Sequence, residues 1–312
     1  MNILCLVATH TEMLIDRLIV GLVRKGFKLQ RGGNLYVYPL KPNLFEQAST
    51  FNSYGLSFPA MSEMTIKLYL ERDFFDIVFI SNIWRWPQWR GIYKIILDSI
   101  KDTPCVYISE ANVAVENVWT FEPVNWVAKF YKSKKHSWDG YPIAMAMLKE
   151  NIGKAEQKDI DVFFAGTSVT IPRRKLYLAT LQKAGFKHVY NDHLPGTYAQ
   201  YLAMMRRAWI CPVLPSLQPY VSRDIEAAGQ YSVALLPDVR DEIEFRDGFT
   251  DGVNAVFYDS VDDLMEKIGD LLPDEDRMKT IAQAGYEHVL NHHLVEHQVD
   301  YVMGIVEPLL QT

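Results

Sequence analysis

The chain has 312 residues, 49% of them hydrophobic and 22% charged, with a formal net charge of −6. That length and balance suit a globular enzyme of two domains, and no apolar run approaches the ~20 residues that span a bilayer. Three widely separated cysteines, Cys5, Cys105 and Cys211, all in apolar surroundings, exclude a disulfide framework and point to a reducing, cytoplasmic setting.

Charge is uneven along the chain. Residues 1–150 carry 17 basic against 14 acidic side chains, and residues 151–312 carry 15 against 24. A mildly basic half and an acidic half fit two domains with different partners, although drift in surface charge gives the same pattern. Met1–Ala8 lacks a basic n-region and reads as a first strand, not a secretion leader. Thr9–Glu12 follows as a loop at that strand's carboxyl end, where ligands bind in doubly wound sheets, so His10 and Glu12 are candidate catalytic groups. Leu14, Leu18 and Leu22 then set a helix that stops at Gly26. Residues 31–62, with three glycines, three prolines and several aromatics, read as a long irregular segment, a lid or an acceptor loop.

Met64–Arg72 is a predicted helix and Asp76–Ile80 a buried strand. Directly after it come Trp84, Arg85, Trp86, Trp89 and Arg90. Aromatic faces stack on sugars and bases, and arginines pair with anions, which makes these five candidate acceptor contacts. A plainer reading has the tryptophans covering one end of the sheet. Gly91–Ile100 is a predicted helix. Pro104–Glu110 is a further strand, and Glu110 at its end is a third candidate base. The lysines of 129–135 would face an anionic acceptor or simply solvent.

Residues 149–159 are polar and read as a linker. The expected division is 1–148, linker 149–159, second domain 160–290, and a terminal stretch 291–312. The second domain opens with strand Ile160–Ala165 and a Gly166-Thr167-Ser168 loop, then a helix with Pro172 at its start followed by Arg173 and Arg174. Helix Tyr198–Arg207 and strand Ala208–Leu214 lead to the most informative stretch, residues 215–237. There Ser222 reads as the N-cap of a short helix, Ala227 and Ala228 as close-packing residues, Gly229 as a helix stop, and Ser232–Leu236 as a strand covered on both faces. Two amphipathic helices, over 261–272 and 276–291, complete the pattern.

Ser222-Arg223-Asp224-Ile225-Glu226-Ala227-Ala228-Gly229 resembles the "S-x-R-x-FEA-x-A-x-G" segment of group 1 glycosyltransferases, in particular the CgeB-like, or spore-maturation-protein-like, branch. The Gly166–Ser168 loop with Arg173 and Arg174, the Val253–Asp259 segment, and Arg277, Ile281, Ala282 and Gly285 also resemble that family. In the family two glutamates frame the central segment with seven residues between them. Here the second is Glu226 and Gln218 stands at the first. The resemblance implies an α/β fold of GT-B architecture, two Rossmann-like domains of parallel sheet facing a cleft. The final stretch would cross back to the first domain.

It further implies transfer of a sugar from a nucleotide diphosphate donor, a uridine diphosphate sugar above all, to a hydroxyl acceptor, with retention and without a metal or other cofactor. Donor contacts would come from Gly166, Thr167, Ser168, Arg173 or Arg174, Gln218, Tyr220, Ser222, Arg223 and Glu226, the last accepting from ribose hydroxyls. The acceptor is a glycan, a small molecule or an anionic polymer such as modified DNA. The Gln218 departure keeps two other functions open, a GT-B-fold epimerase and a non-catalytic nucleotide-sugar binder.

Other chemistries lack their central motif: there is no Gly-x-Ser-x-Gly elbow, no Walker A loop and no full Gly-x-Gly-x-x-Gly. His293-Leu294-Val295-Glu296-His297 matches the inverted zinc motif in letters and would place two histidines on one helix face. With no third ligand downstream it reads as coincidence.

Overall fold

The computed structural model describes residues 1–7, 13–32, 60–61, 63–72, 74–81, 99, 103–109, 126–129, 132–133, 141–142, 146–166, 172–191, 196–215, 221–241, 243–244 and 247–310. The chain divides into two units: residues 1–132, 138–143 and 295–312 form the first, and 133–137 with 144–294 the second.

In the first unit, strands β1 (Asn2–Val7), β2 (Lys28–Gly32), β3 (Ala60–Met61), β4 (Ile77–Ser81), β5 (Cys105–Ser109), β6 (Trp126–Lys129) and β7 (Tyr141–Pro142) make one sheet in the order β3-β2-β1-β4-β5-β6-β7. Each pairing is parallel. Strands covered on both faces need no alternation, and the consecutive buried residues Ile3–Cys5 and Ile77–Phe79 show it. Helix α1 (Met13–Arg24) is buried continuously from Arg17 to Leu22. The C-terminal helix accounts for part of that cover. A Cβ on Gly21 would lie 2.6 Å from Val299 Cγ2 and 3.1 Å from the Val295 carbonyl oxygen, so the two helices meet where α1 has no side chain. Residues 33–59 lie outside the described residues, but the segment expected to be irregular from residue 31 contributes to β2 and β3. Helix α2 (Glu63–Leu70) leads into β4.

The second unit holds β8 (Ile160–Ala165), β9 (His188–Asn191), β10 (Ala208–Pro212), β11 (Val233–Pro237) and β12 (Val256–Tyr258), again all parallel, in the order β9-β8-β10-β11-β12. Its helices are α3 (Pro172–Lys183), α4 (Tyr198–Arg207), α5 (Ser222–Gly229), α6 (Val261–Leu271) and α7 (Glu275–His292); α8 (Val295–Val306) belongs to the first unit. Val162, Phe164, Ile210, Val233, Leu235 and Val256 of the sheet pack with Leu181, Leu264, Ile268, Met278 and Ile281 of the helices. Each such side chain contributes about 1.5–3 kcal/mol on burial. Ser260 and Asp274 cap α6 and α7 by accepting from the N–H groups of Asp263 and Arg277, typically worth about 1 kcal/mol each.

The polar segment 149–159, expected as a linker, is docked on the second unit. The Gly153 N–H donates to the Gly229 carbonyl at 2.8 Å, and Gln230 Nε2 donates to the Asn151 carbonyl at 2.6 Å. Lys158 Nζ donates to the carbonyls of Ala208 (2.9 Å) and Tyr231 (2.6 Å). A segment poor in apolar side chains is held here by backbone and lysine hydrogen bonds, which composition does not reveal.

Candidate functional site

In a parallel sheet the carboxyl ends of the strands and the amino ends of the following helices gather at one edge, where N–H groups and the positive helix dipole favour anions. In the second unit that edge is formed by the end of β8, the residues after β10, and the starts of α4 and α5.

Arg174 and Arg223 meet there over a single ring. The guanidinium carbon of Arg223 lies 4.7 Å from the centroid of Phe164, and that of Arg174 lies 5.8 Å from it. Arg223 donates from Nη2 to the Ala165 carbonyl and from Nε to the Tyr201 hydroxyl at 3.0 Å. Arg174, 5% exposed, donates from Nε to the Pro215 carbonyl at 2.9 Å. Burial first, and then the facing charge of Arg223, lower the Arg174 pKa to about 10. Gly166 makes this packing possible: a Cβ there would sit 2.8 Å from Arg223 Nη2 and 3.2 Å from Phe164 Cζ. Two cations this close repel, and an anion between them would relieve the cost. Arg173, the other candidate of the pair, is exposed.

Glu226 is on the same helix as Arg223, three residues on, and is 3% exposed. Its Oε1 accepts from the Tyr198 hydroxyl at 2.7 Å and its Oε2 from the Tyr201 hydroxyl at 3.4 Å. A carboxylate has about four lone-pair sites, so two phenols leave acceptor capacity for further hydroxyls. The tyrosines are themselves fixed by a capping box. Thr197 Oγ1 accepts from the Gln200 N–H at 3.3 Å, and Gln200 Oε1 accepts from the Thr197 N–H at 2.8 Å, which sets the first turn of α4 and with it Tyr198 and Tyr201.

The start of α5 differs from expectation. Ser222 is its first helical residue and Val221 the N-cap. Valine has no side-chain acceptor, so the capping contact comes from within the helix: Asp224 Oδ2 accepts from the Val221 N–H at 3.2 Å. Asp224 is 4% exposed and its Oδ1 has no hydrogen-bond partner among the described residues. Burial pushes its carboxyl well above the usual range. Gly229 does not stop the helix by a left-handed turn either. It is helical, and the left-handed residue is Tyr231, at φ 57°. Gly229 packs closely instead: a Cβ there would lie 2.9 Å from Met147 Sδ, so that side chain would have to shift.

Thus Gly166, Arg174, Ser222, Arg223 and Glu226 come together at one edge. Thr167, Ser168, Gln218 and Tyr220 lie outside the described residues, as do His10, Glu12, Glu110, Trp84, Arg85, Trp86, Trp89 and Arg90. Sequence reasoning missed Tyr198, Tyr201, Asp224 and Phe164. The two tyrosines had a usable signal in Thr197-x-x-Gln200, the letters of a capping box, with aromatics at an i, i+3 spacing just inside it. His293 and His297 do not share a helix face: α7 ends at His292, His293 is its C-cap, and α8 begins at Val295. His293 Nε2 lies 2.9 Å from the Asp247 carbonyl oxygen, as His288 Nε2 does. No group of three His, Cys, Asp or Glu side chains among the described residues is placed to hold a metal ion.

Two all-parallel doubly wound units, with the second one's cations and buried carboxylate at its strand ends, place the chain among α/β proteins of GT-B fold. Residues 152–304, about half the chain, match the family model described as glycosyl transferase-like, and the chain belongs to that family, a glycosyltransferase. No curated protein matches it by sequence. Among solved structures it is similar to HepE of Anabaena in complex with UDP-glucose, at 9% identity over 99% of this chain and 100% of that one, TM-score 0.68. It is similar to a glycosyltransferase from Rickettsia africae at 11% identity over 100% and 99%, TM-score 0.67. Sucrose-phosphate synthase from Thermosynechococcus elongatus is similar at 12% identity over 99% of each chain, TM-score 0.64. These are likenesses of fold. No helix among the described residues is long and apolar enough to cross a membrane.

Proposed function

We propose that the chain transfers a glycosyl group from a uridine diphosphate sugar to a hydroxyl acceptor, with the donor seated at the carboxyl edge of the second sheet. The observation that carries this reading is the pair Arg174 and Arg223 over Phe164 at the end of β8, with Glu226 one turn along α5. The diphosphate lies between the guanidiniums and the first N–H groups of α5, and the ribose hydroxyls donate to Glu226. HepE of Anabaena, whose fold this chain shares, binds UDP-glucose, which supports uridine as the base.

The bond from the anomeric carbon to the β-phosphate oxygen breaks, and its electron pair stays on the diphosphate. Preorganised cations and N–H groups oppose the charge that grows there, which is the work a divalent ion does elsewhere, so transfer proceeds without one. The acceptor oxygen bonds to the anomeric carbon on the face the diphosphate leaves, with retention, and its proton passes to the leaving diphosphate. Should an acceptor need a protein base, His10, Glu12 and Glu110, which follow β1 and β5 in the sequence, are the groups proposed. The acceptor is a glycan, a small molecule or an anionic polymer, met by Trp84, Arg85, Trp86, Trp89 and Arg90. Binding that weakens steeply with salt marks the polymer, because phosphate contacts release counterions.

The test is binding and turnover of a panel of nucleotide diphosphate sugars by the wild type and Glu226→Ala, with and without EDTA. One donor is expected to bind, to be slowly hydrolysed regardless of EDTA, and to lose affinity in the variant. No binding by the wild type, or no effect of the substitution, overturns the reading.

A further inference from the structure

The phosphate-side and ribose-side residues of the proposed donor site are joined through one phenol. Arg223 and Glu226 stand at an i, i+3 spacing on α5, and Tyr198 and Tyr201 stand at the same spacing on α4. Residues so spaced share a helix face, and the two faces meet. Tyr198 touches Glu226, whereas Tyr201 touches both members of the α5 pair. Its oxygen is 3.0 Å from Arg223 Nε and 3.4 Å from Glu226 Oε2. A guanidinium has no acceptor and an ionised carboxylate has no donor. The hydroxyl of Tyr201 therefore accepts from Arg223 and donates its single proton to Glu226. At 1% exposure, no water competes for either bond. Burial also raises the Tyr201 pKa, which keeps that proton in place.

We propose that Tyr201 is a positioning residue that couples the two halves of the donor site, so that the placement of Arg223 sets the orientation of Glu226 and a bound diphosphate orders the carboxylate for the ribose. This rests on the donor site described above. A guanidinium free to rotate on its flexible stem and a carboxylate free to change rotamer would each cost side-chain entropy to order on binding. One shared buried hydroxyl fixes both in advance.

The test uses uridine, which has no phosphate for Arg223 to meet, beside UDP. In the full-length wild type, Arg223→Ala is expected to weaken UDP strongly, and to weaken uridine as well, by about fivefold, because Glu226 loses its alignment. In a Tyr201→Phe background, which keeps the ring and removes the hydroxyl, the same Arg223→Ala change is expected to leave uridine affinity unaltered. Tyr198→Phe, which removes a Glu226 contact and leaves the Tyr201 hydroxyl in place, is expected to weaken uridine but to leave the fivefold effect of Arg223→Ala intact. Should Tyr201→Phe not fold, Arg223→Met decides the point: its stem fills the same space but donates nothing to Tyr201, and it is expected to weaken uridine like Arg223→Ala. Uridine affinity indifferent to both Arg223 changes overturns the coupling while leaving the donor site standing, and so does a fivefold effect that survives in Tyr201→Phe. A wild type that binds neither probe overturns the donor site and the coupling together.

Discussion

The two ends of the second sheet bury cations in opposite ways. At the amino end, Lys158 is surrounded by acceptors, the carbonyls of Ala208 and Tyr231 and, at 3.4 Å, the hydroxyl of Ser232. Nothing about it calls for a ligand; it ties the polar segment before β8 to the starts of β10 and β11. At the carboxyl end, two guanidiniums share one phenyl ring, beside a helix start where Asp224 accepts from the N–H of the N-cap residue. Neutral carbonyls and a hydroxyl meet Lys158, whereas the charge of Arg223 acts on Arg174 and is itself met by Tyr201, Glu226 and Asp224. The same fold thus carries a structural cation and a pair of cations proposed to hold the donor diphosphate.

The largest effect that sharpens this contrast is on binding. Arg223→Ala is expected to raise the dissociation constant for UDP by about 100-fold, the scale of removing one partner from a desolvated charged contact; calorimetry reads it directly. Lys158→Met is the converse. It takes the lysine from the Tyr231 carbonyl and leaves the Ala208 carbonyl to the Ser232 hydroxyl alone, and is expected to cost about 1–2 kcal/mol of stability while leaving UDP affinity unchanged, as denaturant unfolding and calorimetry would show. It also removes a pH dependence. The Lys158 pKa is lowered by burial to about 8 from 10.5, so the folded chain holds fewer protons than the unfolded one across that window. Stability accordingly rises with pH from about 8 towards 10.5 in the wild type and not in the variant.

A smaller effect separates capping from charge at the carboxyl end. The folded pKa of Asp224 lies above its ordinary value of 3.8, mainly through burial. The folded chain keeps that proton to higher pH, and stability falls as pH rises through the window between the two values. Asp224→Asn retains an acceptor for the Val221 N–H and cannot ionise, so the fall in melting temperature towards neutral pH is expected to shrink. The smallest is Thr197→Ala, which removes half of the capping box of α4 for about 1 kcal/mol.

Much of this was legible beforehand, for reasons that differ by residue. Apolar runs such as Ile77–Ile80 and Val162–Ala165 state a strand covered on both faces, and β4 and β8 contain them. The segment Ser222–Gly229 announced a short helix before a strand, and its residues Arg223 and Glu226 both meet the Tyr201 hydroxyl. The details at its ends differ for two reasons. At the start another local contact, Asp224 to the Val221 N–H, puts the cap one residue before Ser222, and at the end Met147, far away in sequence, packs against Gly229. Tyr201 could not be assigned from periodicity, since its role depends on a helix more than twenty residues away in sequence.

The most direct test of the central claim is a crystal structure of the wild type with UDP. The account predicts diphosphate oxygens within hydrogen-bond distance of Arg174, Arg223 and the first N–H groups of α5, with ribose hydroxyls on Glu226 and Tyr201 still bridging Arg223 and Glu226. Nucleotide bound elsewhere on the chain, with this edge unchanged, would contradict it.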